Sequence, residues 1–199
     1  MRSMIRGCVA VAVVALAGSW GARVAVAQAK GIELNGFAGL YYPTQTAALQ
    51  GTKVAVRKGS PAFGGRLTYW TSKTLGVEFT GGYSTARVSV TSNAGRFPRS
   101  TRLAFGSAKL LFNLTPGSKL VGVAIGGGAA ALHVGKTVAD LAKSSTDLGG
   151  VGDLAVRIHL GENVALRGDA EAYLYNGNFG KGNKFTQDVV LSGGLSIKF

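Results

Sequence analysis

The feature that most constrains this chain is a two-residue alternation that separates apolar side chains from ionic ones. It is clearest between residues 164 and 175. One face carries Leu166, Gly168, Ala170, Ala172 and Leu174, and the other carries Arg167, Asp169, Glu171 and Tyr173. A period of two predicts a β-strand whose two faces meet different surroundings.

Seven further segments show the same pattern. The predicted strands cover residues 31–42, 62–70, 75–84, 102–113, 119–134, 148–160, 164–175 and 187–199. The fourth alternates poorly, and its outward positions are predicted to be Ala104, Gly106, Ala108, Leu110 and Phe112. After residue 27, no run approaches the 18 consecutive apolar residues that indicate a transmembrane helix. The sequence therefore predicts an all-β fold.

The connections between these strands alternate in length. Residues 71–74, 115–118 and 161–163 are short and rich in Gly, Pro, Ser and Asn, which is typical of tight turns. Residues 43–60, 85–101, 135–147 and 176–186 are longer and polar, and we interpret them as loops. Three short turns and four long loops predict an eight-stranded antiparallel up-and-down β-barrel with periplasmic turns and outward-facing loops.

The distribution of charge decides between a soluble and a membrane barrel. Charged residues share one strand face with small residues: Glu33, Arg66, Glu78, Asp153, Arg157, Arg167, Asp169, Glu171 and Lys198. The opposite face is almost uncharged, which lipid requires, because a charge near the bilayer midplane costs about 2–4 kcal/mol. We therefore predict a transmembrane barrel whose lumen is plugged by a charge network. The alternative is a narrow or gated pathway for ions or small solutes, although eight strands argue against an open pore.

Glycine is unusually frequent, with 31 residues in 199. Eight strands enclose a space that is just wide enough for side chains to fill. We expect five glycines on the inner face to leave room for the arginines: Gly64, Gly76, Gly82, Gly122 and Gly126.

Aromatic residues fall near the predicted strand ends. Tyr42, Phe63 and Tyr83 lie at the outer ends, and Tyr69, Phe112 and Phe199 lie at the periplasmic ends. Two belts at headgroup depth are typical of membrane barrels. The alternative is the ordinary enrichment of aromatic residues in strands.

The N-terminus has the features of a secretory signal peptide. Arg2 and Arg6 precede an apolar run from Cys8 to Ala17, and Ala25-Val26-Ala27 resembles a cleavage site. We predict a cleaved signal at residues 1–27 and a barrel at residues 28–199. Cys8 is removed with the signal, so disulfides and cysteine-ligated metals are not expected in the mature chain.

Net charge narrows the choice of partners. The whole chain carries +13, and removal of three arginines with the acid-free signal leaves +10. An exported protein of this charge is expected to meet an anionic membrane surface rather than nucleic acid. The predicted loops contain a basic patch of Lys53, Arg57, Lys58, Arg87, Arg96 and Arg99, and further lysines at 136, 143, 181 and 184. We predict contact with lipopolysaccharide phosphates or with an acidic host or surface ligand. The alternative is a set of solvated loops.

Two segments resemble a known family. The C-terminal stretch from Leu191 to Phe199 places Leu195, Ile197 and Phe199 at alternate positions and resembles the assembly signal of outer-membrane barrels. Residues 149–157 and 166–173 resemble strands six and seven of the OmpA/OmpX-like small outer-membrane barrel superfamily. The resemblance implies a Gram-negative outer membrane, with outer-membrane lipid and the barrel assembly machinery as partners. The chain ends at the last strand, so no peptidoglycan tether is implied.

Enzyme chemistry is not expected. A nucleophile needs a nearby base, and the only histidines, His133 and His159, are predicted at opposite ends of the barrel. Two distant histidines also give no metal site, and no cofactor motif is present. A structural or surface-interaction role is therefore predicted, with adhesion, immune evasion and envelope integrity all open. A transport barrel is the second hypothesis, and a lipid-modifying enzyme is the third.

Overall fold

The computed structural model describes residues 31–43, 47–49, 52–92, 95–135, 145–177 and 184–199. Ten strands form in these ranges: β1 Gly31–Pro43, β2 Ala47–Leu49, β3 Thr52–Lys58, β4 Ser60–Trp70, β5 Leu75–Ser92, β6 Gly95–Asn113, β7 Val121–Val134, β8 Ser145–His159, β9 Val164–Gly177 and β10 Lys184–Lys198. No helix in the described ranges is long and apolar enough to cross a membrane.

Eight of these strands close into a barrel. Strands β1 and β4 to β10 pair with their neighbours in antiparallel fashion, and the β5–β6 and β1–β10 pairings complete the ring. Residues 71–74 form a tight turn in which the Thr71 amide donates to the Leu75 carbonyl at 2.9 Å. Short turns likewise join β6 to β7 and β8 to β9. The predicted eight-stranded, all-antiparallel barrel is confirmed.

The prediction of a long loop over residues 85–101 is wrong. Strands β5 and β6 stay paired to Ser92 and Gly95, so most of this segment is a hairpin extending beyond the neighbouring strand ends. Residues 43–60 also contain strands, and β3 adds to β5 through Val56 opposite Ser89. Polarity suggested a loop, but Val88 and Val90 alternate with polar residues, a pattern that suits extended backbone.

The two barrel faces differ as predicted. The exterior carries an apolar belt of exposed side chains: Ile32, Leu34, Leu40, Phe63, Tyr69, Phe79, Tyr83, Leu110, Phe112, Ile125, Leu154, Leu166, Leu191 and Leu195. By contrast, Arg167 and Glu171 are buried in the lumen. Ala104, Ala108 and Leu110 also face outward, so the weakly alternating strand was oriented correctly. The apolar face of the barrel therefore points outward, as a lipid environment requires.

The lumen has two parts. Toward the outer end lies an aromatic and apolar cluster of Phe37, Tyr41, Ala62, Leu103, Phe105, Ala130, Leu132, Val151, Tyr173, Tyr175 and Val190, here called the outer cluster. The Phe105 and Tyr173 rings meet edge to face, with centroids 5.6 Å apart. At its edge the hydroxyls of Tyr41 and Tyr175 both donate to Asp188. The remaining lumen holds buried ionised side chains together with Trp70, Leu111 and neutral polar residues.

Most inner glycines make room for rings rather than for arginines, so that part of the prediction is wrong. A methyl group at Gly64 would lie 2.4 Å from Phe37 Cζ, and one at Gly76 would lie 2.9 Å from Trp70 Cε3. At Gly126 the neighbour is Leu111 Cδ2, at 2.5 Å. At Gly122 the nearest atoms are His159 Nε2 at 3.4 Å and Arg157 Cβ at 3.5 Å.

The arginines benefit indirectly, because two of these rings support guanidinium groups. Arg66 Cζ lies 4.0 Å from the Phe37 ring centroid, and Arg157 Cζ lies 5.0 Å from the Trp70 centroid. Such cation–π contacts contribute more when they are desolvated. Gly64 and Gly76 therefore leave space for an aromatic ring, and that ring packs against a buried guanidinium group.

Replacing Gly82 with alanine is expected to lower the unfolding free energy by about 1–3 kcal/mol through overpacking. The new methyl would lie 2.2 Å from Phe105 Cζ. The adjacent Gly81 is a matched control, because a methyl there meets no atom within 4 Å and faces outward. Gly81→Ala should change stability by no more than about 0.5 kcal/mol. Urea unfolding in lipid vesicles measures the unfolding free energy of both variants. Equal losses would contradict the interpretation that Gly82 leaves space for the Phe105 ring.

Candidate functional site

Nine ionised side chains meet in the lumen and form the charge network: Glu33 on β1, Arg66 on β4, Glu78 on β5, Lys109 on β6, Asp153 and Arg157 on β8, and Arg167, Asp169 and Glu171 on β9. Each of these side chains is at most 6% exposed. Five carboxylates therefore face four cations in a site closed to water.

Arg167 forms the centre of the charge network. Its Nη1 and Nη2 donate to the two carboxylate oxygens of Glu78 at 2.6 and 3.1 Å, a bidentate pair. Its Nε and Nη2 also donate to Asp169 Oδ1 at 2.8 and 2.6 Å. The planar guanidinium suits such forked pairing, which is both directional and strong.

Lys109 holds three carboxylates together. Its Nζ lies 3.0 Å from Glu78 and 3.0 Å from Asp153, and it also donates to Glu171. Oxygen atoms of these three acids lie within 4.8 Å of one another, as the ligands of a cation would. The ammonium group of Lys109 is the cation that they surround.

Arg66 and Arg157 link the centre to the walls. Arg66 donates to Asn35 Oδ1 at 3.0 Å and to Ser192 Oγ at 2.8 Å, and it lies 3.3 Å from Asp169. Arg157 Nε donates to Glu33 at 3.1 Å. These hydrogen bonds offset part of the cost of burying charge.

Sequence reasoning identified eight of the nine members and missed Lys109. The signal was available, because placing Ala108 and Leu110 outside puts residue 109 inside. The ninth predicted residue, Lys198, is half-buried at the end of the barrel that carries the tight turns, in register with Glu33. Among the described side chains, Lys198 forms no ion pair. Asp188, which accepts hydrogen bonds from two tyrosine hydroxyls, is a further buried acid that sequence reasoning did not assign to a site.

The histidines lie far apart along the barrel. His133 is exposed at the outer end of β7, where its Nδ1 hydrogen-bonds Thr146 Oγ1 at 2.9 Å. His159 ends β8 at the opposite end of the barrel, beside the tight turns, where its amide donates to the Leu120 carbonyl. The two imidazoles therefore do not share a site.

The predicted assembly signal lies on the barrel exterior. Leu195, Ile197 and Phe199 are all exposed, and they form an apolar row down the last strand. The Phe199 amide donates to the Ile32 carbonyl at 2.8 Å, so pairing with β1 continues to the last residue. By contrast, the side chains of Lys53, Arg57, Lys58, Arg87, Arg96 and Arg99 lie outside the described part of the structure.

A closed antiparallel barrel with a lipid-facing exterior and an ion-paired interior defines a small transmembrane β-barrel. Solved structures with this fold include the outer membrane protein OprG from Pseudomonas aeruginosa, at a TM-score of 0.64 and 19% identity, covering 86% of this chain and 96% of that one. The N-terminal β-barrel domain of OprF from the same organism matches at 0.56 and 10% identity, with coverages of 86% and 100%. The chain therefore has the fold of the small eight-stranded outer-membrane barrels, as the OmpA/OmpX-like resemblance implied.

A third similar structure is Ail, the attachment invasion locus protein of Yersinia pestis, at a TM-score of 0.50 and 12% identity, covering 86% of this chain and 99% of Ail. Ail has also been solved in complex with the heparin analogue sucrose octasulfate. No protein-family model and no curated protein matches the chain.

Proposed function

We propose that this chain is a non-enzymatic outer-membrane barrel that acts through its outer surface rather than through its lumen. Residues 1–27 are the cleaved signal that exports it. The apolar row of Leu195, Ile197 and Phe199 is what the barrel assembly machinery recognises. The outward apolar belt and the similarity in fold to outer-membrane barrels support this location.

The observation that carries the proposal is the closed lumen. The charge network occupies the barrel from β1 across to β9, with side chains that are at most 6% exposed. Above it, Tyr173 and Leu103 of the outer cluster are buried as well. A lumen filled with paired ions and packed rings favours a plug over a pore.

The surface role rests on the predicted basic patch. Lys53, Arg57 and Lys58 belong to β3, and Arg87, Arg96 and Arg99 belong to the extensions of β5 and β6, on the side of the barrel opposite the tight turns. Phosphates of lipopolysaccharide, or an acidic host surface, are complementary in charge. Ail, a barrel of the same fold, has been solved with a sulfated sugar, which is a polyanion. We take this as support for a polyanion partner.

Single-channel recording of the refolded protein tests the plug. We expect no discrete openings in a planar bilayer of neutral lipid, because the ion pairs must break before solutes can pass. Heat-modifiable migration on gels confirms that the recorded sample is folded. Regular openings of the folded wild-type barrel would contradict the plug and favour the narrow-channel alternative.

Replacing Arg87, Arg96 and Arg99 together with glutamine is expected to weaken lipopolysaccharide binding at low salt. Each arginine near an anionic surface contributes about 1 kcal/mol, and salt screens this contribution. The difference from wild type should therefore shrink as salt rises. Unchanged binding at low salt would count against the surface role.

A further inference from the structure

The outward face of the described strand residues is uncharged except for one arginine. Among the strand residues whose side chains are described, Arg102 on β6 is the single ionised group that points outward, and it is exposed. It lies within an exposed polar row that crosses four strands, here called the rim cluster: Thr85 on β5, Arg102 on β6, His133 on β7 and Thr146 on β8.

Strand register brings these four residues together. Thr85 is directly opposite Arg102, and Thr146 is directly opposite His133, to which it hydrogen-bonds at 2.9 Å. The Gly135 amide donates to the Arg102 carbonyl at 2.8 Å, and His133 is paired with Ala104, so Arg102 and His133 are diagonal neighbours. Such neighbours have Cα atoms about 7–8 Å apart, within reach of one multidentate anion.

The depth of the rim cluster matches lipid headgroups. Arg102 lies two residues outward of Ala104, which is paired with the exposed Tyr83. Tyrosines at the edge of an apolar belt mark the bilayer interface. The guanidinium of Arg102 therefore lies at the level of lipid phosphates rather than in solvent above them.

Below the rim cluster runs an apolar strip with no side chain larger than a methyl group, here called the trough: Ala104, Gly106, Ala108, Ala129 and Ala131. Register places Gly106 beside Ala131 and Ala108 beside Ala129. Taller exposed side chains border the trough, with Phe79 on β5 and Leu148 on β8 at 55% and 76% exposed. A shallow apolar channel beneath a cationic end matches a lipid that joins a phosphate to acyl chains.

We propose that this face binds the lipid A part of lipopolysaccharide, with a phosphate at the rim cluster and acyl chains in the trough. The inference rests on the proposed function and places the specific contact at Arg102 and the trough rather than at the predicted basic patch. A second copy of this chain fits less well. A two-fold axis along the membrane normal through the trough would bring two Arg102 side chains together.

The test uses the full mature chain in nanodiscs of phosphatidylcholine, with lipid retention measured by native mass spectrometry. Hexa-acyl bisphosphoryl lipid A, the same lipid without phosphates, and phosphatidylglycerol are the three probes. Arg102→Gln is expected to reduce lipid A affinity about fivefold. Lys119→Gln is the matched control, because it removes one exposed cation in a periplasmic turn. Ala129→Leu fills the trough and should also weaken lipid A binding.

Equal affinity of the Arg102→Gln and Lys119→Gln variants would overturn the inference. So would phosphatidylglycerol or dephosphorylated lipid A retained as tightly as lipid A. If the Arg87, Arg96 and Arg99 triple variant lost lipopolysaccharide binding while Arg102→Gln kept it, the proposed function would stand and this site would be ruled out. Both the proposed function and this site would be ruled out if the wild-type protein retained no lipid A and the triple variant bound lipopolysaccharide as the wild type does.

Discussion

Replacing Arg167 with methionine is expected to lower the free energy of unfolding by about 3–5 kcal/mol, the usual cost of breaking a buried ion pair from one side. Methionine is similar in length but provides no charge and no donor. Glu78 and Asp169, which receive four of the Arg167 hydrogen bonds at 2.6–3.1 Å, would lose that compensation while remaining buried. Urea unfolding in lipid vesicles measures the loss.

A double-mutant cycle separates lost pairing from lost packing. Glu78→Gln removes the carboxylate that Arg167 binds in bidentate fashion, so the Arg167→Met/Glu78→Gln protein should lose less than the sum of the single variants. The same proteins should be recorded in planar bilayers. A large rise in conductance in Arg167→Met without loss of stability would contradict the plug and favour the channel hypothesis.

Placing an arginine at Leu154 is expected to cost about 2–4 kcal/mol of stability in a bilayer, because the new charge would face hydrocarbon. Leu154 is an outward residue midway along β8 and is 47% exposed. In a soluble barrel the same substitution at an exposed position would be nearly neutral. The experiment therefore tests the inverted polarity of the whole fold.

Leu120→Arg is the matched control for Leu154→Arg. Leu120 is 67% exposed but lies in the turn before β7, where the side chain reaches water and headgroups. The cost there should fall to about 0–1 kcal/mol. Refolding yield and urea unfolding in vesicles give the comparison. If both variants fold and unfold alike, the belt does not lie in lipid.

The inverted faces could be predicted from the sequence because a strand has a side-chain period of two. Once Arg167 and Glu171 alternate with Leu166 and Ala170, one face must be ionic and the other apolar, whatever the strand pairs with. The tight turns also carry local chemistry in Gly, Pro, Ser and Asn. Strand number and orientation, including the weak strand that holds Ala108, follow from such local signals.

Which side chains meet across the lumen was decided only by closure of the barrel. Lys109 reaches Glu78, Asp153 and Glu171 because the register of eight strands brings those residues to one level, and register is a property of pairing between distant segments. Long-range pairing also decides which rings pack against Gly64, Gly76 and Gly82, and it carries β5 and β6 on to Ser92 and Gly95. Local alternation determines which way a side chain points, whereas long-range pairing determines what it touches.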